Sequence, residues 1–304
     1  MSNSNAIRKT REDRLVDLIC LVVCVIMAIF CLYPLYYTLI NSLNNGQDAM
    51  RGGIYLWPRM FTLENYKTVL TDDTLPTSFA ITVARTVLGT GMSLLFTSMV
   101  SYALSKKNLV FRRFYLTVGL ITMYVGGGVI PTYMLYRSLG LINTFWVYVI
   151  PGIYSFGNSV LMLNFFKKIP SALIESAYID GAGDFKVLFS IILPLSKPLL
   201  ATMALFIGVG HWNDWFASAY YIVKEELLTM PAVLMKLLSE TDALNKLKEM
   251  FGDSSAMAQV SQISVTSDSI RYATLIVSIL PITLTYPFLQ RYFIAGMMVG
   301  SLKE

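Results

Sequence analysis

His211, Asn213 and Asp214 fall in one short segment, interleaved with Trp212 and Trp215 and followed by Tyr220 and Tyr221. An imidazole, an amide and a carboxylate among aromatic faces can hydrogen-bond hydroxyl groups and stack on an apolar ring face, which is what a sugar requires. The same residues could instead clamp neighbouring helices or anchor a helix end at a membrane interface. Arg85 is a second isolated charge in apolar surroundings. It could pair with Asp214, or extend to a surface while Asp214 lines a cavity. Other chemistry is missing. No Gly-x-x-x-x-Gly-Lys-Ser/Thr phosphate loop occurs, so nucleotide hydrolysis is not expected here. Cys20, Cys24 and Cys31 share one helix face without further ligands nearby, and read as packing residues. Neither metal nor cofactor is expected, and no catalytic cluster marks the chain as an enzyme.

The elements that must carry these residues are set by the distribution of charge. Of 304 residues, 55% are hydrophobic and only 14% charged, against roughly 25% charged in soluble domains. Residues 18–47, 114–136, 138–166 and 272–290 carry no charge at all, while 74–105 hold only Arg85 and 198–223 only His211 and Asp214 as polar intruders that can ionise. Each run is long enough to cross a hydrocarbon core, which needs roughly 20 residues. The expected fold class is therefore all-α: a polytopic membrane protein with six transmembrane helices, at about 16–40, 77–104, 114–136, 142–166, 198–222 and 272–291, after an N-terminal tail 1–15. The first run is too long for a signal-peptide core and reads as a span. Gly89-Thr90-Gly91 suggests close helix packing, and Gly126-Gly127-Gly128 should loosen the third span near its external end. On this layout Arg85 and Asp214 both lie roughly 10 Å inside the outer edge, at 1.5 Å per residue.

Alternating loops place fourteen Lys and Arg on the side of both termini and nine on the other, where they are spread over much longer loops. The positive-inside bias then makes both termini cytoplasmic, in a multi-pass protein of the cell membrane surrounded by lipid. The net charge of +5 reflects that topology and not nucleic-acid binding. External loops at 41–76 and 223–271, the second with an apolar helical pattern over 230–238 and a polar stretch over 252–268, are candidates for contacting an extracytoplasmic partner.

The cytoplasmic loop 167–197 reads as two short helices around a glycine turn. Pro170 suits a first helical turn. Asp180-Gly181-Ala182-Gly183 should stop the first helix, because glycine can take the left-handed conformation that a helix end needs. Asp184 is a candidate N-cap for the second helix. Phe185, Leu188, Phe189 and Ile192 then form one apolar stripe, which Pro194 and Pro198 bring to an end. Such stripes ask for a protein partner, or for a lipid surface on which to lie.

Glu175-Ser176-Ala177, then Gly181, Ile191, Leu193 and Pro194, resemble the EAA motif of binding-protein-dependent ABC importer permeases: Glu-Ala-Ala, three residues, Gly, nine residues, Ile, one residue, Leu-Pro. Ser176 for the second Ala is the one departure. Asp180-Gly181-Ala182 matches the carbohydrate-importer variant. Along most of its length the chain is similar to the second of the two paired subunits in maltose-type permeases. Residues 126–133, 139–146, His211-Trp212-Asn213 and the tail 296–303 look like the polysaccharide and uronate-oligosaccharide branch. The resemblance implies a heterodimer with a second homologous permease, a dimer of ATP-binding subunits, an extracytoplasmic solute-binding protein and an oligosaccharide substrate. It implies that Glu175, Ser176, Ala177, Asp180, Gly181, Ala182, Leu193 and Pro194 couple to the ATPase, with Glu175 meeting a basic residue there. His211, Trp212, Asn213, Asp214 and Trp215 are the candidates for the substrate path. Import of another polar solute, such as a glycerol phosphate or a monosaccharide, is the alternative, and a proton-coupled secondary transporter the more distant one.

Overall fold

The computed structural model describes residues 11–71, 74–239 and 266–301. Among these the chain is all-α, with one isolated bridge between Asn44 and Phe61. In chain order the helices are α1 (Arg11–Ser42), α2 (Gly46–Met50), α3 (Glu64–Thr71), α4 (Thr74–Ser105), α5 (Arg112–Tyr124), α6 (Val129–Ser138), α7 (Phe156–Phe166), α8 (Ser171–Ile179), α9 (Asp184–Leu195), α10 (Lys197–Asn213), α11 (Phe216–Tyr221), α12 (Met230–Ser239) and α13 (Ser267–Ser301). Two of them, α1 and α4, are long and apolar enough to cross a membrane alone, and up to four spans result if the bent pairs α5–α6 and α9–α10 each count as one. The polar stretch 252–265 and residues 302–303 of the tail lie outside the described residues.

The contacts divide the chain into two compact units. In the first, α1 is apolar on every side and exposed along most of its length, as a lipid-facing helix must be. The loop after it is tightly ordered by side chains. Asn44 accepts from Met60 N at 2.7 Å and donates to Asp48 at 2.9 Å, while Asn65 donates to the carbonyls of Ser42 and Asn44. Arg59 closes the network on Asp48 at 3.0 Å.

The second unit is built on α4, which packs chiefly against α10 and α7. Its buried face is a column of small or polar residues at helical spacing: Ser78, Thr82, Arg85, Gly89, Ser93, Thr97 and Ser101. Small side chains let backbones approach closely where lipid offers no hydrophobic drive to associate. Some of the hydroxyls are satisfied locally or across the contact: Thr82 donates to Ser78 O at 2.7 Å, and Ser101 and Ser159 Oγ lie 2.8 Å apart, whereas the buried hydroxyls of Ser78 and Thr97 have no partner among the described residues. At one end of α4 an apolar core of Tyr102, Met162, Phe166, Val187, Leu188, Ile192 and Met203 seats α9.

Three of the expected apolar runs are not continuous helices. Over 114–136 the chain breaks between α5 and α6, which meet at 118°. Gly128 there has a φ of +79°, accessible to glycine without a Cβ clash. Over 142–166 only α7 is regular. It is preceded by a 3-10 turn at Phe145–Tyr148, a left-handed Asn143 with φ of +61°, and Pro151-Gly152. Over 198–222 the helix stops at Asn213 and resumes at Phe216. Hydropathy registers the absence of charge and says nothing of helix continuity. Irregular backbone at membrane depth is tolerated where it is buried in protein or lines a cavity, and Pro151, Gly152 and Asp214 all line one.

Candidate functional site

In the loop 167–197, Pro170 immediately precedes α8, whose far end is closed by two nested hydrogen bonds. Ala182 N donates to Ala177 O at 2.9 Å, and Gly181 N to Tyr178 O at 3.0 Å. With Gly181 at φ +79° this is a Schellman cap. Glu175, Ser176, Asp180 and Gly181 are exposed, Ala177 and Ala182 are half-buried against the α9 core, and Pro194 is exposed beside a half-buried Leu193. Glu175 forms no ion pair among the described residues.

Two expectations for α9 are corrected. Gly183, not Asp184, occupies the N-cap position, and the Asp184 carboxylate instead accepts from Lys106 Nζ and from Tyr178 Oη. The stripe Phe185, Leu188, Phe189 and Ile192 is also split. Leu188 and Ile192 are buried with Val187, whereas Phe185 and Phe189 are 66% and 47% exposed. Residues Leu188–Ile192 form a wide π turn, with Leu193 N donating to Leu188 O. The turn stands just ahead of Pro194, which lacks an N–H and would collide with the carbonyl four residues back in a regular helix. Ile179, 87% exposed, is a third outward apolar side chain of this loop, and exposed apolar side chains of this kind are what a partner covers.

The second constellation surrounds a cavity of about 520 Å³ lined by Arg85, Tyr148, Asn158, His211, Asp214 and Tyr221 among others. Arg85 and Asp214 meet there. The guanidinium donates from Nη1 to Asp214 O at 2.7 Å and from Nη2 to the Asp214 carboxylate, and lies 4.7 Å from the Tyr148 ring centroid. Arg85 is thus a side-chain partner for a carbonyl that the interrupted helix leaves without one. The other carboxylate oxygen of Asp214 accepts from Ala217 N at 3.2 Å, in the first turn of α11. Tyr148 Oη donates to Leu227 O at 2.7 Å and ties the 3-10 turn into the same region.

The five candidates for the substrate path do not converge. His211 and Asp214 line this cavity. Trp212, about 100° further round α10, is buried, donates Nε1 to Ser278 O at 3.0 Å and stacks edge-on with Phe79. It lines a separate apolar groove with Thr90, Gly208 and Pro281. Asn213 and Trp215 are exposed, Trp215 against Phe216. Tyr148 and Asn158 were not singled out in the sequence, where a tyrosine or asparagine in an apolar run carries no distinguishing signal, and Asn143 entered only within the run 139–146. Asn143 accepts from Val223 N and Lys224 N at 3.0 and 2.9 Å and so joins two loops.

His211 owes its position to two glycines. A Cβ on Gly89 would lie 2.7 Å from the imidazole, and one on Gly152 would lie 3.3 Å from it on another element. Gly89→Ala should therefore destabilise the purified protein by about 1–3 kcal/mol through overpacking, and His211→Ala in the same chain should restore part of that loss. Thermal unfolding in detergent reads both. An unshifted Gly89→Ala midpoint would mean that the ring moves aside freely.

A family model described as "Binding-protein-dependent transport system inner membrane component" matches residues 95–299. Protein LplC of Bacillus subtilis (strain 168) is 33% identical over all of both chains. The polygalacturonan/rhamnogalacturonan transport system permease protein YtcP of the same organism is 30% identical over 96% of this chain and 99% of its own. Among solved structures, a chain of a bacterial ABC transporter involved in the import of the acidic polysaccharide alginate superposes with a TM-score of 0.83 at 29% identity, covering 95% of this chain and 100% of that one. The chain therefore belongs to the family of binding-protein-dependent transport system inner membrane components: it is a membrane permease subunit of an ABC importer, not an enzyme, with the ATPase in separate subunits.

Proposed function

We propose that this permease moves an oligosaccharide across the cytoplasmic membrane, and that the loop 167–197 is where ATP-binding subunits drive it. The observation that carries the reading is the loop itself. Glu175 and outward apolar side chains flank a turn that Gly181 makes easy, in a chain similar over nearly its whole length to a polygalacturonan/rhamnogalacturonan transport system permease protein. Six passes follow if α1, α4, α5 with α6, the stretch from Leu141 through α7, α10 with α11, and α13 each cross once. Both termini are then cytoplasmic, in keeping with the bias of Lys and Arg.

A second permease completes the pore, two ATP-binding subunits sit on the cytoplasmic side, and a solute-binding protein docks outside, on the loops 41–76 and 223–271. Much of the latter lies outside the described residues. The cavity around His211 and Asp214, with Tyr148, Asn158 and Tyr221, combines ring faces with hydrogen-bonding groups and lines the substrate path. Arg85 and Asp214 neutralise one another there, so the cavity has no unpaired fixed charge contributed by either.

The test is ATP-dependent uptake by the complete complex in proteoliposomes with its binding protein. Oligogalacturonides and neutral oligosaccharides are compared with a glycerol phosphate and a monosaccharide. Uptake of an oligosaccharide is expected. Uptake of the small solutes alone would overturn the substrate assignment and leave the importer itself intact.

A further inference from the structure

Four side chains from three elements meet where α4 ends. Tyr102 lies in its last turn and Lys106 one residue beyond it, Tyr178 is on α8, and Asp184 is the first residue of α9. Tyr178 Oη donates to Asp184 Oδ1 at 2.6 Å. Its single proton is thereby used, so at the 3.2 Å contact between the two phenols Tyr102 is the donor. Lys106 Nζ donates to the same Asp184 oxygen, 4.8 Å from the Tyr102 ring centroid and 5.7 Å from that of Tyr178, both within cation–π range. Lys106 first, and Tyr178 after it, hold the Asp184 carboxyl below the ordinary carboxylate range. A lone exposed ion pair contributes little. Here the pair is partly exposed, with the Asp184 side chain 61% accessible, but the ammonium also lies over two rings and the phenols form a directed chain into that carboxylate.

Position gives the cluster its significance. Tyr178 lies one turn after Glu175 on α8, on the same side of the helix. Tyr102 lies on the same unbroken 32-residue helix as Arg85, about 25 Å further along at 1.5 Å per residue. Arg85 in turn holds the break between α10 and α11 through Asp214, and Gly89 of that helix touches His211. One rigid element thus joins the loop at one end to the cavity at the other.

We infer that Tyr102, Lys106, Tyr178 and Asp184 are the joint through which the loop 167–197 drives α4, and that α4 carries the displacement to the Arg85–Asp214 contact. All four are positioning residues, and the inference rests on the coupling role proposed for that loop. An apolar core also lies between α9 and α4, so the joint sets direction and register while the core supplies adhesion.

The experiment measures solute transported per ATP hydrolysed in proteoliposomes of the complete complex, with co-purification of the partners reporting assembly. Tyr178→Phe, which keeps the ring and removes the hydroxyl with the bonds it gives and accepts, and Asp184→Asn, which keeps an acceptor oxygen but removes the charge that strengthens both bonds to it, should each lower the ratio about fivefold, equivalent to about 1 kcal/mol. Because they cut one chain of bonds, the double variant should be no worse than the more severe single. Lys106→Arg should keep the ratio and Lys106→Met should lower it, a contrast that mere packing would not produce. Wild-type ratios in Tyr178→Phe and Asp184→Asn would overturn the joint. If Gly181→Val then still uncoupled the complex, the loop would remain the coupling element with its force delivered elsewhere. If it did not, the coupling reading would fall as well.

Discussion

Gly181→Val is expected to leave the protein inserted and assembled but to cut solute uptake about tenfold or more, while ATP hydrolysis continues without transport. Gly181 sits at φ +79° with nothing within 4 Å of where a Cβ would be. The substitution therefore meets no steric obstacle, and its whole cost is conformational. A side chain in left-handed backbone costs about 1–2 kcal/mol, with β-branched residues the worst placed. If the residue escapes to negative φ instead, the bonds from Gly181 N to Tyr178 O and from Ala182 N to Ala177 O break, at about 1 kcal/mol each. Either route re-aims α9 relative to α8. A total of about 1.4 kcal/mol already corresponds to a tenfold shift in a conformational equilibrium. Gly181→Asn, which tolerates the left-handed region, should retain most of the coupling, and Gly181→Ala should fall between. Uptake and hydrolysis are measured together on the reconstituted complex. Wild-type values of both in Gly181→Val would remove this loop from the coupling mechanism.

Breaking the Arg85–Asp214 pair should cost stability as well as transport, and unequally from its two ends. The Arg85 side chain is 3% exposed, and that of Asp214 33%. Asp214→Ala strands a sealed guanidinium, for which about 3–5 kcal/mol is the usual penalty. Arg85→Ala leaves a carboxylate that still reaches the cavity, and should cost less. In the double variant no charge is stranded and part of the loss should return. Arg85→Lys should not substitute, because an ammonium cannot serve the Asp214 carbonyl and carboxylate with a planar fork. Thermal unfolding of the purified subunit and yield of the assembled complex give the cycle. Additive losses would show that the two residues act independently, which would make Asp214 the better candidate for a direct hydrogen bond to substrate.

The separation of these two residues, 129 positions apart in the chain, shows where sequence reading stops. Two isolated charges of opposite sign at equal depth were legible as a possible pair. That one guanidinium bridges both the carboxylate and the backbone carbonyl at a helix break was not, because hydropathy does not register the break at Asp214 and Arg85 reaches it from another helix. The column from Ser78 to Ser101 was legible in principle. Its three- and four-residue spacing is regular, but each hydroxyl sits singly in an apolar run, and a reading by charge passes over it.

What the amino-acid sequence determined by itself is local. The charge-free runs commit the chain to a membrane because the free energy of transferring apolar side chains into hydrocarbon is summed residue by residue along a run of about 20. The stop at Asp180–Gly183 followed from the freedom of glycine at positive φ, and the motif around it from residue spacing alone. Tertiary structure decided which sides of those elements matter. The π turn ahead of Pro194 divides Phe185 and Phe189 from Leu188 and Ile192, and Asp184 turns from a helix cap to Lys106 and Tyr178. A step of about 100° along α10 sends Trp212 to Ser278 while His211 enters the cavity. Hydropathy sums over a segment and cannot distinguish these faces. Packing distinguishes them, because each polar atom withdrawn from water must find its partner on whichever element lies within hydrogen-bond reach.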